Sequence, residues 1–286
     1  MAATLAHSRL SRDLIEHHVQ LACLLEVSAP KPGNITPSHD FSDTTYADMV
    51  RSALVLGPVF AAPRARTRAV GELIADGVHA TRRVADANTN LGIVLLFAPL
   101  ARAAGLQRPD ESLPVAVQRT LAQLDVADAA AAFPAIVRAH PGGLGEVPEH
   151  DVRTPPMVSL REAMAAAAHR DSIASEYATG YAIVFDTGVP LLAGALQDGV
   201  ATLHAIVSLH VELLAAHPDT LITRKAGAAA ARAVSDAARA VRDGTLSLAD
   251  FDASLRDSDH RLNPGTTADL VAATLLAALL SGMKLP

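Results

Sequence analysis

The chain has 286 residues, half of them hydrophobic, with aromatics at only 3%, no Trp and a formal net charge of −6. That charge argues mildly against a nucleic-acid partner, which demands basic surface, and the single cysteine excludes an internal disulfide. With so few aromatics the core must be built from Ala, Leu, Val and Ile, and their distribution without β-like alternation favours helix throughout.

The opening MAATLAHSRLSRDLIEHH lacks the apolar core of a signal sequence. The longest apolar stretch, 270–280, is too short to span a bilayer. A cytoplasmic protein with no membrane partner is expected. The first helix is expected over 8–27, with Leu10, Leu14, Val19, Leu21 and Leu25 as its stripe and Cys23 as a small buried side chain. Two prolines and a glycine stop it. Residues 30–43 then read as a long polar loop of the functional kind, carrying Lys31, Asn34 and Asp43. A second helix starts at Thr45, paired with Asp48 as a capping box, and runs to about residue 62 with a kink or split at Pro58. A third spans 67–84.

The stretch DANTNLGIVLLFAP (86–99) predicts a central helix from Asn88 to about residue 104. It is apolar on every face, with Asn88 or Thr89 as its cap and Gly105 as its stop. Gly92 admits a close neighbour one turn in, and the helix start offers free N–H groups to a phosphate. Helices over 114–124 and 126–139 follow, the second interrupted by Pro134. The segment HPGGLGEVPEHDVRTPP (140–156) is the strongest break and reads as an exposed loop or lid. Helices over 159–169, 172–185, 189–197, 200–216, 220–241, 247–256 and 266–283 complete the chain. The expectation is an all-α fold, one domain over 1–286, of about a dozen helices whose small apolar side chains are compatible with a homodimer.

No dinucleotide-binding glycine motif, phosphate loop, nucleophile elbow or His-Glu-x-x-His is present, and the twelve histidines lack ligand spacing. The informative features are helix starts with polar mouths. In NPGTTADL (263–270), Gly265 and Thr267 crowd a Thr266–Asp269 capping box. In DTLITRKAG (219–227), Arg224 and Lys225 sit in the second turn of an Asp219-capped helix. Two cations there oppose the dipole and require an anion, either a protein carboxylate or a ligand phosphate. Asp43, Glu72, Asp219 and Asp269 are carboxylates of the kind that hold Mg²⁺ together with phosphates.

Taken in order, KPG at 31–33, a short acidic segment, NT-x-x-G at 88–92, E-x-x-x-G-Y at 176–181, DT-x-x-x-x-K at 219–225 and PG-x-x-ADL at 264–270 resemble the triphosphoribosyl-dephospho-CoA synthase family. The resemblance implies an all-α enzyme that joins ATP and 3′-dephospho-CoA and releases adenine. Its product carries a 5-triphosphoribosyl unit α-linked to the 2′-hydroxyl, the prosthetic-group precursor of citrate lyase or malonate decarboxylase carrier subunits. Together with the polar and charged residues at the helix mouths and in the 30–43 loop, it points to a site. Glu176 and Asp43 are its catalytic carboxylates. Lys31, Gly33, Asn34, Asn88, Thr89, Asn90, Tyr181, Arg224, Lys225, Gly265 and Thr266 hold the substrates, ATP and an acceptor alcohol. Asp43, Asp219 and Asp269 hold Mg²⁺ with ATP. Going from β-linked ATP to an α-linked product is inversion, so one displacement through a cation-like transition state suffices, with no covalent nucleophile.

The chain departs from the family pattern at three places. Asn90 and Leu91 stand where the family has His-Lys, Ala178 where a second Glu is usual, and Thr266-Thr267 where it has Gly-Ser. Two further readings therefore stay open. One is the same transfer to another hydroxyl, such as that of a tetrahydromethanopterin-pathway intermediate. The other is a nucleotide-binding protein without catalysis.

Overall fold

Two segments that are apolar on every side set the architecture, because such helices can only be satisfied at the centre of a bundle. The structure, a computed structural model, describes residues 14–142 and 150–285. Its α-helices are α1 Ile15–Ser28, α2 Tyr46–Phe60, α3 Ala62–Thr67, α4 Val70–Thr81, α5 Leu91–Leu106, α6 Leu113–Ala122, α7 Val126–Ala139, α8 Leu160–Ala167, α9 Ser172–Thr179, α10 Val189–Gln197, α11 Thr202–Ala216, α12 Thr220–Ala226, α13 Ala228–Arg242, α14 Leu248–Leu255 and α15 Gly265–Leu280. A π-helical segment, Ile183–Gly188, leads into α10. The fold is all-α: among the described residues there is no strand, only an isolated bridge between Thr36 and His39.

The central pair is α5 and α15, which pack on each other. Around them α15 meets α1 and the π segment, and α5 meets α4 and α6. A smaller apolar cluster around Leu214, Ile222, Val234 and Phe251 ties α11 to α14 together beside the main core. No single helix among the described residues is long and apolar enough to cross a membrane.

Pro99 and Pro58 are tolerated inside their helices because other helices supply the missing donor. Pro99 has no N–H for the Leu95 carbonyl, and the buried Tyr177 hydroxyl donates to that oxygen at 2.6 Å. Pro58 likewise leaves the Leu54 carbonyl free, and Gln20 Nε2 donates to it at 3.0 Å. The kink or split expected at Pro58 becomes a continuous α2 that ends two residues later, and Pro134 does not interrupt α7. Tyr177→Phe is expected to cost about 1–3 kcal/mol in urea unfolding, since it leaves a buried carbonyl unpaired. Adding Pro99→Ala, which restores a backbone N–H, should recover part of that loss; equal additive losses would refute the account.

Several expected single helices are two. Residues 67–84 hold the end of α3 and all of α4, divided at Arg68-Ala69, where the Glu72 carboxylate accepts the Ala69 N–H at 2.9 Å. The span 172–185 breaks where Gly180 and Tyr181 both take left-handed backbone, with φ 77° and 68°. The span 220–241 breaks at Gly227, whose φ of 93° only glycine adopts without strain. These breaks raise the α-helix count among the described residues to 15. Gly105 lies inside α5 rather than at its end. Residues 8–13 of the first expected helix and 143–149 of the expected loop lie outside the described residues.

Candidate active site

The helix starts of α5 and α15 open into one cleft of about 470 Å³, closed on its other sides by the loop after α1, the turn after α4 and the connection between α14 and α15. Its centre is a contact between the two helices. A Cβ on Gly92 would lie 1.9 Å from Asp269 Oδ2, so the missing side chain is what lets the Asp269 carboxylate rest on the first turn of α5. Asn88 Oδ1 accepts the Leu91 N–H at 3.1 Å, whereas the N–H groups of Gly92 and Ile93 have no partner among the described residues at the positive end of the helix.

Asp269 itself makes no hydrogen bond or ion pair among the described residues. Burial pushes its carboxyl well above the ordinary range, and the charges of Glu26, Asp219 and Asp171 push it further, with Arg224 opposing. Glu26 lines the same cleft and is buried with Lys31, whose Nζ lies 2.9 Å from Glu26 Oε1. The buried thiol of Cys23 is pushed above its usual range by burial, then by Glu26 and Asp269.

Of the residues expected in the site, Asn34, Asp43, Asn88, Thr89, Lys225, Gly265 and Asp269 line the cleft. Asp43 is exposed there, its Oδ1 accepting the Thr44 hydroxyl at 3.1 Å and nothing else among the described residues. Lys225 Nζ reaches the His260 carbonyl at 3.3 Å. The remaining expected residues do not line the cleft, and all but Asn90, whose buried Oδ1 has no partner among the described residues, are held in structural bonds. Lys31, besides its ion pair, donates to the carbonyls of Glu26 and Ala29. Gly33 donates its N–H to Asp252 Oδ1 at 2.8 Å. Asn90 is buried at the start of α5 without capping it. Tyr181 is a core residue whose hydroxyl donates to the Leu96 carbonyl at 2.7 Å.

Asp219 has both oxygens occupied. Oδ1 caps α12 through the N–H groups of Leu221 and Ile222, and Oδ2 accepts the N–H and hydroxyl of Thr267 at 2.7 and 2.8 Å. This bridge replaces the expected Thr266–Asp269 capping box and explains the crowding at the mouth of α15. Thr266 Oγ1 accepts the Thr220 hydroxyl at 3.2 Å instead, which frees Asp269 for the cleft. The dipole argument for Arg224 and Lys225 also changes. Because α12 ends at Gly227, the two cations occupy its last turn, where they are favourable, and Arg224 pairs with Asp171 at 2.6 Å.

Glu176 accepts the N–H groups of Ile183 and Val184, each at 3.0 Å, and so caps the π segment from full burial. Burial raises its pKa to about 7, with these two bonds opposing and Asp186 adding to the rise. Between about 4.5 and 7 the folded chain therefore keeps a proton that the unfolded chain releases. Stability is expected to fall as pH rises through that window and then level off. Urea midpoints measured across it should show this slope in the native chain and a weaker one in Glu176→Gln; equal slopes would remove Glu176 as its source.

Sequence reading missed Glu26, Arg82, His260 and Asn263 as cleft residues. For Glu26 a signal exists, a carboxylate directly after the apolar run LACLL (21–25) and just before the KPG loop. The others reach the cleft only through loop geometry. No group of three or more His, Cys, Asp or Glu side chains poised as a metal cluster occurs among the described residues. His210 is buried beside the Lys31 charge, and burial, then that charge, lower its pKa to about 3, so it stays a neutral core residue.

The CitG family profile, ATP:dephospho-CoA triphosphoribosyl transferase, matches residues 12–285. A crystal structure from Archaeoglobus fulgidus, proposed to be a triphosphoribosyl-dephospho-CoA synthase, is similar with a TM-score of 0.65 and 25% identity over 82% of this chain and 99% of that one. No curated protein matches in sequence.

Proposed function

The chain belongs to the ATP:dephospho-CoA triphosphoribosyl transferase family, and from that premise we propose how its cleft divides the work of moving the 5-triphosphoribosyl unit from ATP to 3′-dephospho-CoA. In that reaction a hydroxyl oxygen of the acceptor bonds to C1′ of the ribose, the C1′–N9 bond breaks, and adenine leaves with the bonding electron pair and the hydroxyl proton. The observation that carries the assignment is the partnerless Asp269 carboxylate on Gly92, at a helix start with free N–H groups.

The triphosphate binds at the first turn of α5, where Gly92 and Ile93 offer N–H donors and the dipole favours an anion. Lys225, on the far wall, adds a point charge suited to phosphate. The donors present fit Mg²⁺: Asp269 has free oxygens, Asp43 has one, and the rest of a six-oxygen shell falls to phosphates and water, as is usual with nucleotides. When bound, the cation supplies charge neutralisation for the triphosphate. Asp43, exposed at the mouth, takes the proton of the attacking hydroxyl, which passes through solvent to the departing adenine, and faces the positive charge that develops on the ribose. Asn34, Asn88 and Thr89 hydrogen-bond the sugars. Glu176, Tyr181, Asp219, Arg224 and Lys31 act at a distance, by holding the helix starts in place. Both substrates are cytoplasmic small molecules, and the reaction is assigned to that compartment.

The test is adenine release from ATP and Mg²⁺, followed by chromatography with and without 3′-dephospho-CoA. Release only with dephospho-CoA, one adenine per product, is the expected result. Release that instead requires a ribitol-type hydroxyl would overturn the acceptor, and none with any acceptor would overturn the transfer.

A further inference from the structure

Three side chains at the cleft mouth have no part in the chemistry above. Phe41 comes from the loop after α1, and His260 and Asn263 from the connection between α14 and α15; all three line the cleft. The rings of Phe41 and His260 stack with centroids 3.9 Å apart and planes within 14°. The Ser42 N–H donates to His260 Nε2 at 3.2 Å, which pins the ring and leaves its proton on Nδ1. His260 holds a left-handed backbone, φ 50°, uncommon for a residue with a Cβ. That turn lays its ring on Phe41.

Asn263 is the second, independent observation. Its Oδ1 is buried with no hydrogen-bond partner, and its Nδ2 has none among the described residues. The amide lies over the start of α15, with Nδ2 3.5 Å from where a Gly265 Cβ would sit. A buried acceptor without a donor is costly unless a ligand completes it. The carboxamide presents an acceptor and a donor side by side in one plane. Beside it stands a flat π surface.

We infer that Phe41, His260 and Asn263 form a subsite for a 6-aminopurine base, stacked on the ring pair and read along its edge by the carboxamide. Asn263 Oδ1 accepts from the 6-amino group while Nδ2 donates to N7, the bidentate pairing that Asn makes with adenine. A 6-oxopurine would set an acceptor against Oδ1 and be rejected. The inference rests on the transferase reading. Two sources satisfy its chemistry, the base of ATP and the base of 3′-dephospho-CoA.

The experiment is equilibrium binding of ATP, ITP and 3′-dephospho-CoA to the full chain and to its Asn263→Ala and Phe41→Ala variants. If the base is that of ATP, the native chain should prefer ATP over ITP by about 10–100-fold. Asn263→Ala should bring that ratio close to one while keeping ITP affinity, which also reports that the variant is folded. Phe41→Ala should weaken both nucleotides about ten-fold and keep the ratio. If the base is that of the acceptor, ATP and ITP bind alike and Asn263→Ala weakens dephospho-CoA by about ten-fold instead. Equal ATP and ITP affinities together with unchanged dephospho-CoA binding in Asn263→Ala would overturn the subsite while leaving the transfer reaction standing. Base discrimination without adenine release from any acceptor would uphold the subsite and overturn the transferase reading alone.

Discussion

Asp269→Asn should lower adenine release by about 10²–10⁴-fold while leaving the fold as stable as before or more so. The two effects separate because the carboxylate makes no bond that holds the protein together. Its environment opposes its charge, through burial and through Glu26, Asp219 and Asp171. An amide of the same shape removes that repulsion and, with it, an oxygen donor for the triphosphate and its cation. This pattern, loss of activity with no loss of stability, marks a group placed for function against the preference of the fold. Gly92→Ala approaches the same point from the other side. Its methyl would occupy the place of Asp269 Oδ2, so the carboxylate must swing away, and activity should fall by at least ten-fold although Ala favours helix. Steady-state adenine release and urea unfolding measure both variants. Activity within three-fold of the native chain in Asp269→Asn would remove Asp269 from the site.

Lys31→Met should be the most destabilising single change at the site, about 3–5 kcal/mol in urea unfolding. Lys31 is fully buried and Glu26 nearly so, at 0% and 3% exposure. The ammonium has three acceptors, the Glu26 carboxylate and the carbonyls of Glu26 and Ala29, which close the end of α1. Removing the lysine leaves the Glu26 carboxylate and carbonyl buried without the ammonium, while the Ala29 carbonyl keeps the backbone N–H of residue 31, and the cost is that of the group left behind rather than of the pair. The double change Glu26→Gln with Lys31→Met should therefore recover a large part of the loss, a coupling that a double-mutant cycle reads directly. A Lys31→Met variant within 1 kcal/mol of the native chain would mean that Glu26 is solvated from the cleft and that Lys31 does not hold it.

Both predictions turn on residues whose role the sequence places only in part. The KPG loop and the Asp of ADL stand out as motifs, and the helix starts that bring Asn88, Thr89, Gly92 and Asp269 to one cleft are legible because a helix start is a local event written in neighbouring residues. Lys31 illustrates the limit. A lysine after a helix reads as a phosphate ligand, yet it faces inward, since the carboxylate and carbonyls that hold it lie on the preceding turn of α1. Asp219 and Asp269 illustrate it again. The two are fifty residues apart, and one takes the capping work that the sequence gives to the other.

The sequence by itself determined the helical class, the centrality of α5, and the helix starts that carry polar mouths. These follow from composition, from apolar residues on all sides of a segment and from capping chemistry, all of them short-range properties. Only the tertiary structure decided which polar residues face the cleft and which are spent holding it. That choice depends on which donors are already satisfied. Thr267 satisfies Asp219, two backbone N–H groups satisfy Glu176, and Asp171 satisfies Arg224, whereas Asp269 is left without a partner because Gly92, 177 positions earlier in the chain, leaves room for it.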